Sequence, residues 1–203
     1  MAILLSSANR AVIKRWSEFL PKYPLEQAPS VAEVKRLCAA KKFDMILLHR
    51  SLVDFSAFAD LRNAVPAGRF FLLSDQPSEE EGLAFLKMGI AGYGNTYISP
   101  TRLAEAVRVV TNGGVWLGQQ VIQRLIMESA VKAKETTSDL DRKLAGLTRM
   151  ERSVADMVAK GRTNLEIAAD LNITERTVKA HLTSVYEKTK TGNRLSLALL
   201  INR

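Results

Sequence analysis

The sequence predicts an α/β protein in two parts, a doubly wound five-stranded parallel sheet followed by a small all-α domain. Three observations carry this: short apolar runs alternate with stretches of helical period over the first 112 residues, a polar segment follows, and the last third carries a different charge. With 203 residues, 47% hydrophobic and 25% charged, the chain can bury two cores and falls outside disordered and collagen-like compositions.

The runs Ile3 to Leu5, Leu25 to Gln27, Met45 to Leu48, Phe70 to Leu73 and Ala91 to Tyr93 are read as strands. Their alternation with helices is a βαβ rhythm, because parallel strands need crossover connections. Pro21 and Pro24 stop the first helix, whose stripe is Val12, Ile13, Trp16, Phe19 and Leu20. Ser78 to Glu81 reads as a capping box, and Glu79, Glu80 and Glu81 as helix-start electrostatics rather than a metal site. Ser99-Pro100 starts another helix. After Gly113-Gly114 a sixth is expected from about Val115 to Met127.

Composition then changes, and three spans are read: residues 1–127 as one domain with an extra helix, 128–142 as a linker, and 143–203 as the second domain. Residues 1–141 carry 17 Lys and Arg against 15 Asp and Glu, net +2, while 142–203 carry 12 against 6, net +6. A basic domain on a near-neutral body points to a polyanion, because Lys and Arg displace condensed counterions from phosphates. The single cysteine, Cys38, has no partner for a disulfide within the chain and fits a reducing cytoplasm. The opening Met1 to Leu5 lacks the basic flank of a signal peptide, and no run approaches the ~20 apolar residues of a membrane span, so a soluble cytoplasmic protein is expected.

In the last third, Thr148 and Glu151 form a capping box ahead of the stripe Val154, Met157, Val158, and Gly161 ends that helix. Thr163 and Glu166 cap a short helix with Ile167, Ala168 and Leu171 inward, closed by Asn172; Thr174 caps a third, with Val178, Leu182 and Val185 inward. Two short helices joined by a tight turn are the frame of a helix-turn-helix. The third helix leaves Arg176, Lys179, Ala180 and Thr183 on its open face, side chains that a DNA major groove admits. Phosphate contacts are expected from Thr177, Lys188, Lys190 and Arg194, and Thr163 and Asn164 join the DNA-binding set.

Leu147-Thr148, Glu151, Gly161, Asn164, Glu166-Ile167-Ala168, Leu171, Ile173, Thr177-Val178-Lys179, His181 and Lys188 match the LuxR/NarL pattern without a gap. The segment thus resembles LuxR/NarL helix-turn-helix regulators, with Arg149-Met150 departing from the usual Pro-Arg. The resemblance implies a four-helix domain that binds double-stranded DNA, Lys179, Ala180 and Thr183 facing bases, and a homodimer through the fourth helix with Leu195, Ala198 and Leu199.

The first domain resembles a response-regulator receiver, a flavodoxin-like fold, that has lost its acids. Ser7 and Ala8 stand where receivers carry their Mg²⁺-binding pair, His49 in place of the phosphoacceptor aspartate, and Thr96 in place of the lysine; Ser74 and Tyr93 match the conserved hydroxyl and switch aromatic. Phosphoryl transfer to aspartate needs a carboxylate nucleophile, a hard cation and a positive partner for the product. No aspartyl phosphorylation, metal or cofactor is therefore expected, and Asp44 and Asp54 lie at the wrong ends of the third strand's flanks. The domain is left for dimerisation, or for a small-molecule or protein effector. Trp116-Leu117-Gly118-Gln119 keeps only the Trp and Leu of a motif by which some atypical receivers bind nucleotide messengers. Gly89, Gly92 and Gly94 precede a strand, which argues against a dinucleotide loop. The alternative to a DNA-binding regulator is an interaction module that controls another regulator through the receiver surface around Tyr93 and the fourth and fifth helices. An enzyme has no constellation behind it, since His49 and His181 lie in different domains.

Overall fold

The computed structural model describes residues 1–132 and 144–202. Five parallel strands, β1 (Ile3–Ser6), β2 (Leu25–Ala28), β3 (Met45–His49), β4 (Phe70–Ser74) and β5 (Gly92–Asn95), form one sheet in the order β2-β1-β3-β4-β5. The expected doubly wound sheet is thus present, each strand within a residue or two of its sequence assignment.

Alternating side chains feed two cores, one on each face. Leu4, Ile46, Leu48, Phe70 and Leu72 pack beneath α2 (Val31–Ala40), α3 (Phe55–Ala64) and α4 (Glu79–Lys87). Ile3, Leu5, Met45, Leu47, Phe71 and Leu73 pack against α1 (Arg10–Phe19) and α5 (Pro100–Thr111). Trp16 is fully buried there, its indole N–H donating to the Thr96 carbonyl at 3.1 Å.

The sixth helix corrects the sequence reading: α6 runs Gln119–Lys132 rather than from Val115. Trp116 is instead extended beside β5, bridging Gly92, with its N–H on Ala91 and its carbonyl taking the Tyr93 amide. Trp116 thereby satisfies backbone groups on the open edge of β5, a tertiary demand that overrides helical pattern. α6 continues five residues into the segment read as a linker; residues 133–142 of that segment, with residue 143 after it, lie outside the described residues.

The second domain consists of α7 (Arg149–Ala159), α8 (Asn164–Leu171), α9 (Glu175–Thr189) and α10 (Arg194–Ile201). Both capping boxes form, at Thr148 and at Thr163. Asn172 closes α8 at φ 54°, a left-handed position that asparagine tolerates. Val154, Val158, Ile167, Val178, Leu182, Val185 and Leu197 make a separate core.

Candidate nucleic-acid interface and the carboxyl end of the sheet

In α9, Val178, Leu182 and Val185 are buried between α7 and α8, as their spacing requires. Arg176 is exposed, and Lys190 is exposed at the left-handed C-cap, while Thr177 is half-buried. Lys179 and Thr183 line a narrow crevice that faces the receiver-like domain. The crevice brings Pro66 to Arg69, Val110 and Gly113-Gly114 against Lys179, Thr183 and Tyr186, and its 30 Å³ leave room for about one water. The groove-reading flank expected to stand open is therefore partly covered.

Several other residues of the expected DNA-binding set are engaged within the chain. Lys188 pairs with Glu151 at 2.6 Å, and Glu151 also accepts from Ser184 at 2.6 Å and from the Thr148 amide at 2.7 Å. These bonds, the Lys188 one foremost, hold the Glu151 carboxyl down at about 2. Asn164 is buried; its amide donates at 2.9 Å to the Asn112 carbonyl in the first domain. Arg194 donates to Asn164 Oδ1 at 3.3 Å and to the Arg162 carbonyl. Thr163 serves as the cap of α8. In α10, Leu195 and Leu199, expected at a dimer contact, pack on the receiver-like core, while Ala198 packs on its own domain.

A latch joins the domains, and no sequence pattern points to it. Arg62 donates to the carbonyls of Gly68, Gly89 and Gly192 and lies 5.4 Å over the Phe70 ring; burial lowers its guanidinium to about 10. Gly89 and Gly192 both have positive φ, and a Cβ on Gly192 would stand 2.6 Å from the Gly89 Cα. Buried Asn193 donates to the carbonyls of Leu86 at 3.3 Å and Ile90 at 3.0 Å while capping α10.

At the carboxyl end of β3, His49 is nearly sealed. Its Nδ1 meets Ser51 Oγ at 2.7 Å and Ser7 Oγ at 3.2 Å, its Nε2 meets Asp75 Oδ1 at 3.1 Å, and Trp16 stands edge-on. The His49 hydrogen bond is the main reason that the Asp75 carboxyl lies below its usual range. With Asp75 ionised, Nε2–H donates, which in the neutral ring leaves Nδ1 to accept from a hydroxyl. Asp75, one residue past Ser74, is an acid that the sequence reading does not single out; Asp44 is bound to the N-terminus and Asp54 caps α3. Ala8 is exposed and carries no ligand atom, and Thr96 and Ser74 are buried.

The expected box at Ser78 is only half made. Ser78 Oγ accepts from the Glu81 amide, but Glu81 turns to Arg50 Nε and to the Tyr93 hydroxyl, each at 2.6 Å, and the Ser78 amide donates to Tyr93 Oη. Tyr93 is buried, and burial is the main cause that raises its phenol.

A receiver-like sheet domain latched to a four-helix helix-turn-helix domain is the class of regulator that the fold and these sites define. Residues 145–201 match the family model "Bacterial regulatory proteins, luxR family", so this domain is a LuxR-family helix-turn-helix. The nitrate/nitrite response regulator protein NarL of Escherichia coli is 28% identical over 163 residues, covering 79% of this chain and 74% of NarL. The glycerol metabolism activator of Pseudomonas putida is 26% identical over 159 residues, 77% of this chain and 72% of its own. The chain is thus similar to LuxR/NarL-type regulators over most of its length, and the relatives named here are regulators. In structure it is similar to the RcsB response regulator of Salmonella typhimurium (TM-score 0.53, 16% identity, all of both chains). Among the described residues no helix is long and apolar enough to cross a membrane, and no cluster of three or more His, Cys, Asp or Glu could hold a metal.

Proposed function

We propose that the chain is a sequence-specific DNA-binding transcription regulator that works without aspartyl phosphorylation, its receiver-like domain holding the reading helix until a signal releases it. The observation that carries this reading is α9: its aliphatic flank is gripped by α7 and α8, and its other flank presents Arg176, Lys179, Ala180 and Thr183. Arg176, Thr177 and Lys190 can meet phosphates in the closed form, whereas Lys179 and Thr183 need the first domain to move aside. Lys188 supports the domain through Glu151 before it can contact DNA. On opening, Leu195 and Leu199 also leave the receiver-like core, which frees an apolar helix face for homodimer formation. The RcsB structures similar to this chain include an RcsB–DNA complex.

His49 supports independence from phosphorylation: it stands at the end of β3, where the receiver resemblance expects the acceptor aspartate, and is pinned on both ring nitrogens. The domain is then left to sense a small molecule or protein.

A mobility-shift assay on full-length chain and on residues 142–203 tests the reading, since that segment carries its own core. Salt-sensitive binding, stronger for the segment, is expected; no shift at low salt for either would leave the interaction-module reading standing. Acetyl phosphate with Mg²⁺ should leave the full chain unlabelled.

A further inference from the structure

The receiver-like domain contains a groove of about 820 Å³ over β5, between the first turns of α4, α5 and α6. That volume lies within the range of small-ligand sites, at the carboxyl ends of parallel strands where open α/β sheets bind ligands. We propose that this groove binds a planar aromatic carboxylate with a hydrogen-bond donor at its far end, a proposal that rests on the reading of this domain as a sensor.

Half-buried Trp116 lines the groove, held by its backbone bridge to Gly92, so an aromatic surface is presented by main chain that cannot easily shift. Gly82 admits this arrangement: a Cβ there would come within 2.7 Å of the Tyr93 ring and 3.0 Å of Val121 on α6. At the α5 wall stands exposed Arg102, two residues from the proline that opens the helix. A guanidinium beside a helix N-terminus favours a carboxylate. At the α4 wall stand Glu79 and Glu80, whereas Glu81 is consumed by Arg50 and Tyr93. With Arg102 and Arg124 the lining carries two charges of each sign, and the two carboxylates accept hydrogen bonds and repel anionic groups, so a monoanion is oriented with its donor toward α4 and a highly charged polyphosphate chain is not matched.

Calorimetry on the full-length chain with 4-hydroxybenzoate, 4-hydroxybenzamide, acetate and ATP tests the proposal. Saturable one-to-one binding of 4-hydroxybenzoate is expected, weakened about tenfold or more in Arg102→Ala. The amide should bind at least about tenfold more weakly than the acid, with acetate and ATP giving no saturation. Trp116→Ala should abolish binding, and because the Arg102 side chain is exposed, Arg102→Ala should keep its circular dichroism whatever Trp116→Ala does. No saturable binding of the acid, equal binding of acid and amide, saturable binding of ATP, or an unchanged affinity in Arg102→Ala would each overturn the proposal. The titrations contain no DNA, so their failure is separate from failure of the DNA-binding reading.

Discussion

Arg62, in the last turn of α3, donates a hydrogen bond of 2.6 Å to the carbonyl of Gly192, just ahead of α10, and so ties the two domains with one side chain. Its guanidinium charge is spread over three carbonyls and a ring face. A buried cation stabilises a contact only while its donors are matched. Arg62→Leu should therefore raise the open population about tenfold or more, seen as a larger radius in small-angle scattering and tighter DNA binding by the full chain. An unchanged radius together with unchanged affinity would remove the latch from the account.

Gly192→Ala tests the same contact from the other side. Its φ of 73° costs about 1 kcal/mol with any Cβ, and the new methyl would also strike Gly89. Gly161 supplies the control, since φ is 79° there but nothing lies within 4 Å of the place a methyl would occupy. Both substitutions should lower the melting temperature of the second domain alike, while only Gly192→Ala should separate the domains. Equal domain separation in both would mean that backbone strain, not the Gly89 approach, is responsible.

The sheet is legible in the sequence because its strands are continuous apolar runs such as Phe70 to Leu73, and the second domain because Thr148, Thr163, Asn172 and Thr174 announce helix ends by local chemistry. Local pattern fails where a distant partner decides. Trp116 sits in a run of helical pattern, yet the open edge of β5 claims its backbone. Glu81 matches a capping box, yet Arg50 and Tyr93 take its carboxylate. The relation of Asp75 to His49 spans 26 residues, and the Arg62 contact with Gly192 spans 130. No local pattern encodes such pairs. Periodicity places Lys179 and Thr183 on the flank of α9 away from its core, but it does not show that a second domain covers that flank.

Acid should weaken the second domain through Glu151. Its folded value of about 2 lies below the ordinary 4.5, so its contribution is complete above about pH 4.5 and is lost as pH falls toward 2. With the carboxylate nearly sealed and bonded to Lys188, Ser184 and Thr148, Glu151→Gln should cost about 1–3 kcal/mol at pH 7. Chemical denaturation at pH 7 and pH 3 checks this: the gap between wild type and variant should shrink at the lower pH. A gap that stays constant would show that the charge is not what stabilises the fold.

Lys179 is the sharpest test of base reading, because it also lines the interdomain crevice and one substitution can act through either role. If it touches a base edge, Lys179→Ala should cost about 1–3 kcal/mol on the specific duplex and much less on unrelated sequence. If it meets only phosphate, the loss should be similar on both and the salt slope should fall by about 1. A role confined to the crevice would loosen the closed form and tighten DNA binding, the opposite sign. Measuring the substitution both in the native chain and in the Arg62→Leu background separates these outcomes. In the opened background the crevice no longer contributes, so a specific-site loss that persists there belongs to the DNA contact alone, and its disappearance would take Lys179 out of the recognition set.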